Sequence, residues 1–222
     1  MASGSRDATF YYSPPIELMQ RLFLASTACN VTKELLEFLG KPPAGLNVAF
    51  IPTAADPYSD KEFVEQDKRA LLMAGFNVKE VHLGKTRASV IEGLEGTDIV
   101  FVAGGNTFYL MQKARESGFD RVVKSLVRKG TVYVGSSAGA VIAGPSIEHV
   151  RALDDASWAP RLQSFEGLGL VKFLVMPHHG KRQYRQAFLK IDKDCSKSLT
   201  VKLTDSQAVE VVGKKYRVVG RQ

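Results

Sequence analysis

The run Gly135-Ser136-Ser137-Ala138-Gly139 fits the pattern G-x-S-x-G, and its flanks matter more than the pattern itself. A strand-like segment, residues 131–134, leads into it, and a small-residue helix start, residues 140–143, follows before Gly144-Pro145 ends it. A serine on a sharp strand-to-helix turn needs glycines beside it, because the backbone there is crowded and partly strained. Such a turn lifts Oγ of the central Ser137 out of the sheet, while the helix start offers backbone N–H groups to a developing anion. A second Gly-rich turn, Gly104-Gly105-Asn106-Thr107, ends the apolar run 98–103. Acyl transfer needs two donors aimed at one oxygen, and the amides of Ala138 and Gly105 are the natural pair. Neither G-x-G-x-x-G nor G-x-x-x-x-G-K-[ST] occurs, so nothing points to a nucleotide site.

A serine hydroxyl attacks a carbonyl only when a base takes its proton. Of His82, His149, His178 and His179, His82 lies within an alternating strand pattern and His149 follows the small-residue helix. His178 stands at the carboxyl end of the strand expected over residues 170–175, where a base could reach Ser137; His179 should point elsewhere. A carboxylate must then fix the imidazole tautomer. Asp205, after the strand expected over 199–203, and the pair Asp154 and Asp155, after the nucleophile helix, all qualify, and spacing does not choose among them.

Strand-like runs alternate with helical ones through the chain, which implies an α/β fold of three layers, a mostly parallel sheet with helices on both faces. Strands are expected near 22–26, 47–52, 77–83, 98–103, 131–134, 170–175 and 199–203. Helices are expected near 32–38, 59–74, 87–94, 108–118, 119–129 and 181–191. A C-terminal β-hairpin, 208–212 with 216–219, turns at Gly213-Lys214-Lys215. Residues 1–20, with a Pro-Pro pair and no period, read as an N-terminal extension, and residues 21–222 as one domain.

At 222 residues and 45% hydrophobic, the chain can bury an adequate core without a metal or disulfide staple. Two cysteines, Cys29 and Cys195, are too few for a disulfide framework and lack metal-ligand spacing, so no metal or cofactor is expected. With no secretory signal and no long apolar run, a cytoplasmic protein without membrane contact is expected. The net charge of +7 comes from the C-terminal quarter, where residues 171–222 hold 12 Lys/Arg against 4 Asp/Glu. Those cations form no dense run and alternate with no aromatic platform, which argues against nucleic acid; a solvated basic face fits best, with attraction of a small acidic substrate the alternative. The composition leaves a homodimer open.

Four strings together resemble a known family: Ile51-Pro52-Thr53-Ala54-Ala55, residues 101–107, Gly135-Ser136-Ser137-Ala138-Gly139-Ala140 and Met176-Pro177-His178. In this order and spacing they are similar to the serine peptidases of the dipeptidase E family, peptidase family S51, with alpha-aspartyl dipeptidases and cyanophycinases as relatives. The resemblance implies a fold like that of class I glutamine amidotransferases, with serine in place of cysteine. It implies Ser137 as nucleophile, His178 as base, Asp205 as third member with Asp155 the alternative, and Gly105 and Ala138 as oxyanion donors. It further implies cleavage of short peptides with N-terminal aspartate, whose side chain Arg182, or else Arg185, would hold. An esterase, amidase or cyanophycinase-like hydrolase, or a non-catalytic peptide-binding member, are the competing expectations.

Overall fold

In the computed structural model, which describes residues 19–221, the apolar runs become strands whose alternate residues feed two separate cores. Strand β1 (Arg21–Ala25) sends Leu22 and Leu24 to one face and Phe23 and Ala25 to the other. The chain continues through α1 (Thr32–Leu39), β2 (Asn47–Ile51), α2 (Glu62–Ala74), β3 (Asn77–Glu80), α3 (Arg87–Leu94) and β4 (Ile99–Val102). Next come α4 (Thr107–Glu116), α5 (Phe119–Arg128), β5 (Val132–Ser136) and the short α6 (Ala138–Val141). The last part holds β6 (Leu174–Met176), α7 (Arg185–Asp194), β7 (Thr200–Lys202), β8 (Gln207–Val212) and β9 (Lys215–Gly220).

Seven strands form one sheet in the order β3-β2-β4-β5-β1-β8-β9. The first five are mutually parallel, while β8 runs antiparallel to β1, and β9 antiparallel to β8 as the expected C-terminal hairpin. Helices α3 to α6 pack on one face through residues such as Val90, Phe108 and Val123; α1 and α2 cover the other through Leu35, Phe38 and Leu71. Both faces of the central strands are therefore buried, which is why β4 and β5 read as unbroken apolar runs. Helix boundaries follow local chemistry: Gly40 takes the left-handed conformation (φ 67°) that ends α1, and Asn106 Oδ1 accepts the Tyr109 amide at 2.8 Å to start α4.

Several expected elements shift. Residues 170–173 are not strand, because the amides of Gly169, Leu170 and Val171 donate to the carbonyls of Gly144 and Ala143 at the end of α6, not to a neighbouring strand. Only Leu174–Met176 pairs, and it pairs with β7 in a separate two-stranded parallel sheet. The helix expected from residue 181 begins at Arg185, after a 3-10 turn over Arg182–Tyr184. The extension expected over residues 1–20 lies, apart from its last two residues, outside the described residues.

Candidate active site

The carboxyl ends of β1, β4 and β5 lie side by side, the arrangement in which parallel sheets place their sites. At the end of β5, Ser137 adopts φ 48° and ψ −109°, a conformation that costs a non-glycine residue roughly 1–3 kcal/mol. Its surroundings hold it there. The Ser137 amide donates to the Ala25 carbonyl (3.0 Å), and the buried Tyr133 hydroxyl donates to the Gly139 carbonyl (2.6 Å). A Cβ on Gly139 would collide with the Val102 carbonyl, so the elbow packs directly on β4. At the end of β4, Gly105 has φ 140°, and a Cβ there would fall on the backbone of Ala54. This accounts for the Ile51-Pro52-Thr53-Ala54-Ala55 string: its 3-10 turn (Thr53–Ala55) is the bed on which the Gly104-Gly105 loop rests. Among the described residues, neither the Gly105 nor the Ala138 amide donates to a protein acceptor.

Ser137 Oγ lies 2.8 Å from His178 Nε2, and His178 Nδ1 lies 2.6 Å from Asp205 Oδ1. With Nδ1–H donating to the carboxylate, Nε2 is left to accept the serine proton. Asp205 reaches this edge because β8 is antiparallel: its first residue, Gln207, sits at the carboxyl end of β1, where its carbonyl accepts the Ser26 amide (3.1 Å). Burial alone would raise the Asp205 carboxyl, but bonds from His178, Lys181 and Ser26 overcome it and hold the group well below the usual carboxylate range. His178 itself has φ 62°, and its amide donates to Ser26 Oγ at 2.7 Å. The Ser26 hydroxyl in turn donates to Asp205 Oδ1 at 3.0 Å.

The other expected residues fall elsewhere. Asp155 is exposed; its carboxylate accepts the Ser157 amide (2.8 Å) and its carbonyl accepts Asn106 Nδ2 (2.9 Å), so it does not meet His178. Arg182 and Arg185 are exposed and do not line the cavity; from that segment Lys181 and Tyr184 do. The left-handed turn through His178 and Gly180 aims the chain so that Lys181 Nζ reaches Asp205 Oδ2 at 2.6 Å. Ser136 turns inward, where its Oγ accepts the Ala28 amide (3.1 Å). His82 pairs with Glu80, His149 faces the Val175 carbonyl, and His179 meets the Phe188 ring edge-on.

Sequence reasoning missed Ser26 and Lys181. Ser26 directly follows the apolar run 22–25, so it stood at a strand end of the same kind as Ser137 and Gly104.

These residues open onto a cavity of about 490 Å³ whose walls include Tyr58, Gly105, Asp154, His178, Lys181 and Tyr184. A larger hollow, about 630 Å³, between α7 and β6 contains Cys195 and His149, yet burial and nearby Asp194 push that thiol up, so it holds no activated nucleophile. Among the described residues no helix is long and apolar enough to cross a membrane, and no cluster of side chains could hold a metal ion.

Known proteins resemble this chain over most of its length. The chain is 31% identical over 202 residues to Uncharacterized peptidase PM1590 of Pasteurella multocida (strain Pm70), covering 90% of this chain and 97% of that protein. It is 30% identical to Peptidase E of Actinobacillus pleuropneumoniae serotype 5b (strain L20), covering 90% and 84%. A crystal structure of "a Putative Peptidase E Protein from Listeria monocytogenes EGD-e" superposes with a TM-score of 0.86 at 29% identity, over 92% of this chain and all of that one. The family model for Peptidase family S51 matches residues 22–219, which takes in the main sheet apart from the first residue of β1 and the last of β9, and both Gly-rich turns. The chain belongs to peptidase family S51.

Proposed function

We propose that this protein is a serine peptidase that cleaves short peptides through an acyl-enzyme, with Ser137, His178 and Asp205 as its catalytic residues. The observation that carries the reading is the unbroken relay from Ser137 Oγ to His178 Nε2 (2.8 Å) and from His178 Nδ1 to Asp205 Oδ1 (2.6 Å), set on a strained elbow. His178 takes the hydroxyl proton as Ser137 Oγ attacks the scissile carbonyl carbon. The oxyanion forms between the Gly105 and Ala138 amides, each worth about 3–4 kcal/mol to the transition state. His178 then gives its proton to the leaving amine, and water, deprotonated by the same imidazole, releases the acyl group.

The finer proposal is a preference for aspartate at the first position. What supports it on the cavity wall is Lys181, not Arg182: its ammonium gives one N–H to Asp205 and has two more to offer a substrate carboxylate. Dipeptides Asp-Leu and Ala-Leu, offered to the parent chain and to Ser137→Ala, test both levels. Equal turnover by parent and Ser137→Ala would end the catalytic assignment; equal kcat/KM for the two peptides would end the preference for aspartate.

A further inference from the structure

The cavity contains two carboxylates that the relay does not use, Asp67 and Asp154. Asp67 is closed off: it is 4% exposed, accepts the Cys29 amide at 2.9 Å, and lies against the Ser136 side chain. Asp154 is placed differently. Its Oδ2 accepts the Thr107 amide at 2.9 Å, and Thr107 follows Gly105 by two residues, so the carboxylate stands beside the oxyanion loop. Tyr58 and Tyr184 flank the same part of the cavity, and Trp158 packs edge-on against Tyr58 at 5.1 Å. A carboxylate set among aromatic rings is the chemistry that recognises an ammonium ion, by charge-assisted hydrogen bonds and by the faces of the rings. Burial holds the Asp154 carboxyl above its ordinary value, and burial, helped by the nearby Asp154 charge, pushes the Tyr58 hydroxyl up to about 12.

Resting on the reading above, we propose that Asp154, backed by Tyr58 and Tyr184, holds the α-ammonium of the peptide's first residue and so confines the enzyme to peptides with a free N-terminus. The placement suits that role. In a bound peptide the α-nitrogen lies about 2.5 Å from the scissile carbonyl carbon, so whatever holds it must adjoin the oxyanion site, as Asp154 does through Thr107. The group is a specificity residue, separate from the base and from the third member of the relay.

The test uses Ser137→Ala, which binds without turnover, and calorimetry with Asp-Leu and N-acetyl-Asp-Leu. The free amine is expected to bind about 10- to 100-fold more tightly, the range for losing one hydrogen-bonded charge. Adding Asp154→Asn, whose amide oxygen can still accept the Thr107 amide, should bring that ratio close to one by weakening the free peptide alone. A ratio near one without the second substitution, a ratio unmoved by it, or no binding of either peptide would overturn the proposal. Failure of the hydrolase reading shows up separately: the parent chain would leave Asp-Leu intact while the binding ratio persisted.

Discussion

Replacing Asp205 by asparagine should cost the enzyme most of its rate while leaving its fold in place. In the transition state His178 becomes an imidazolium whose Nδ1 lies 2.6 Å from Asp205 Oδ1. Taking the centres of charge as about 4 Å apart and an effective dielectric near 20, their attraction is about 4 kcal/mol, or three powers of ten in rate. An amide at this position also lets the imidazole settle in the wrong tautomer, with its proton on Nε2 facing Ser137, and together the two effects predict a fall in kcat of about 10³- to 10⁴-fold. KM for Asp-Leu should shift as well, because Asp205 Oδ2 also accepts a bond from Lys181 at 2.6 Å, so the assignment is read from kcat at saturating substrate. Asp155→Asn is the matched control, since the Asp155 side chain is exposed and its carboxylate bonds only its own turn; its kcat should stay within about twofold of the parent. Steady-state kinetics on Asp-Leu, with melting curves to verify folding, supply the comparison. If Asp205→Asn kept more than a tenth of the parent rate, or Asp155→Asn lost as much as Asp205→Asn, the assignment of the third member would be wrong.

Other perturbations probe the supports of the site. Ser26→Ala strands the His178 amide and removes one bond to Asp205, so kcat should drop about 5- to 100-fold, and Ser26→Thr should restore part of it. Gly105→Ala cannot keep φ 140° against the Ala54 backbone; displacing that amide should lower kcat by about 10²- to 10³-fold, read against an unchanged KM. Asp67 is buried and its carboxyl is pushed up to about 6 from 3.8, so between these values the folded chain binds more protons than the unfolded one. Stability from this group therefore falls as pH rises from about 4 to 6 and stays low above, by up to about 3 kcal/mol. Asp67→Asn should raise the urea midpoint at pH 7.5 and lose that advantage at pH 4; an equal gain at both would refute the sign.

How much of this was legible in the residues depends on whether a feature is local. The elbow at Ser137 and the Gly104-Gly105 turn announce themselves, because strained turns demand small residues and the strands before them are uniformly apolar. The position of His178 followed from the end of an apolar run, even though that run forms only three residues of strand. The choice among Asp154, Asp155 and Asp205 was not local: it depends on β8 entering the sheet antiparallel beside β1, which brings a residue just ahead of a strand to the carboxyl edge. Lys181 in place of Arg182 was equally hidden. It turns on the positive φ of His178 and Gly180, and a histidine is only a weak signal for a left-handed backbone. Residues 170–173 looked like strand because they are apolar, but their amides go to the end of α6.

The most direct measurement is to treat the native chain with a fluorophosphonate and locate the adduct by peptide mass spectrometry. One adduct per chain, on Ser137 and absent from His178→Ala, is the expected result. An unmodified Ser137, or an adduct on another residue, in a chain that still cleaves peptides would contradict the account at its root.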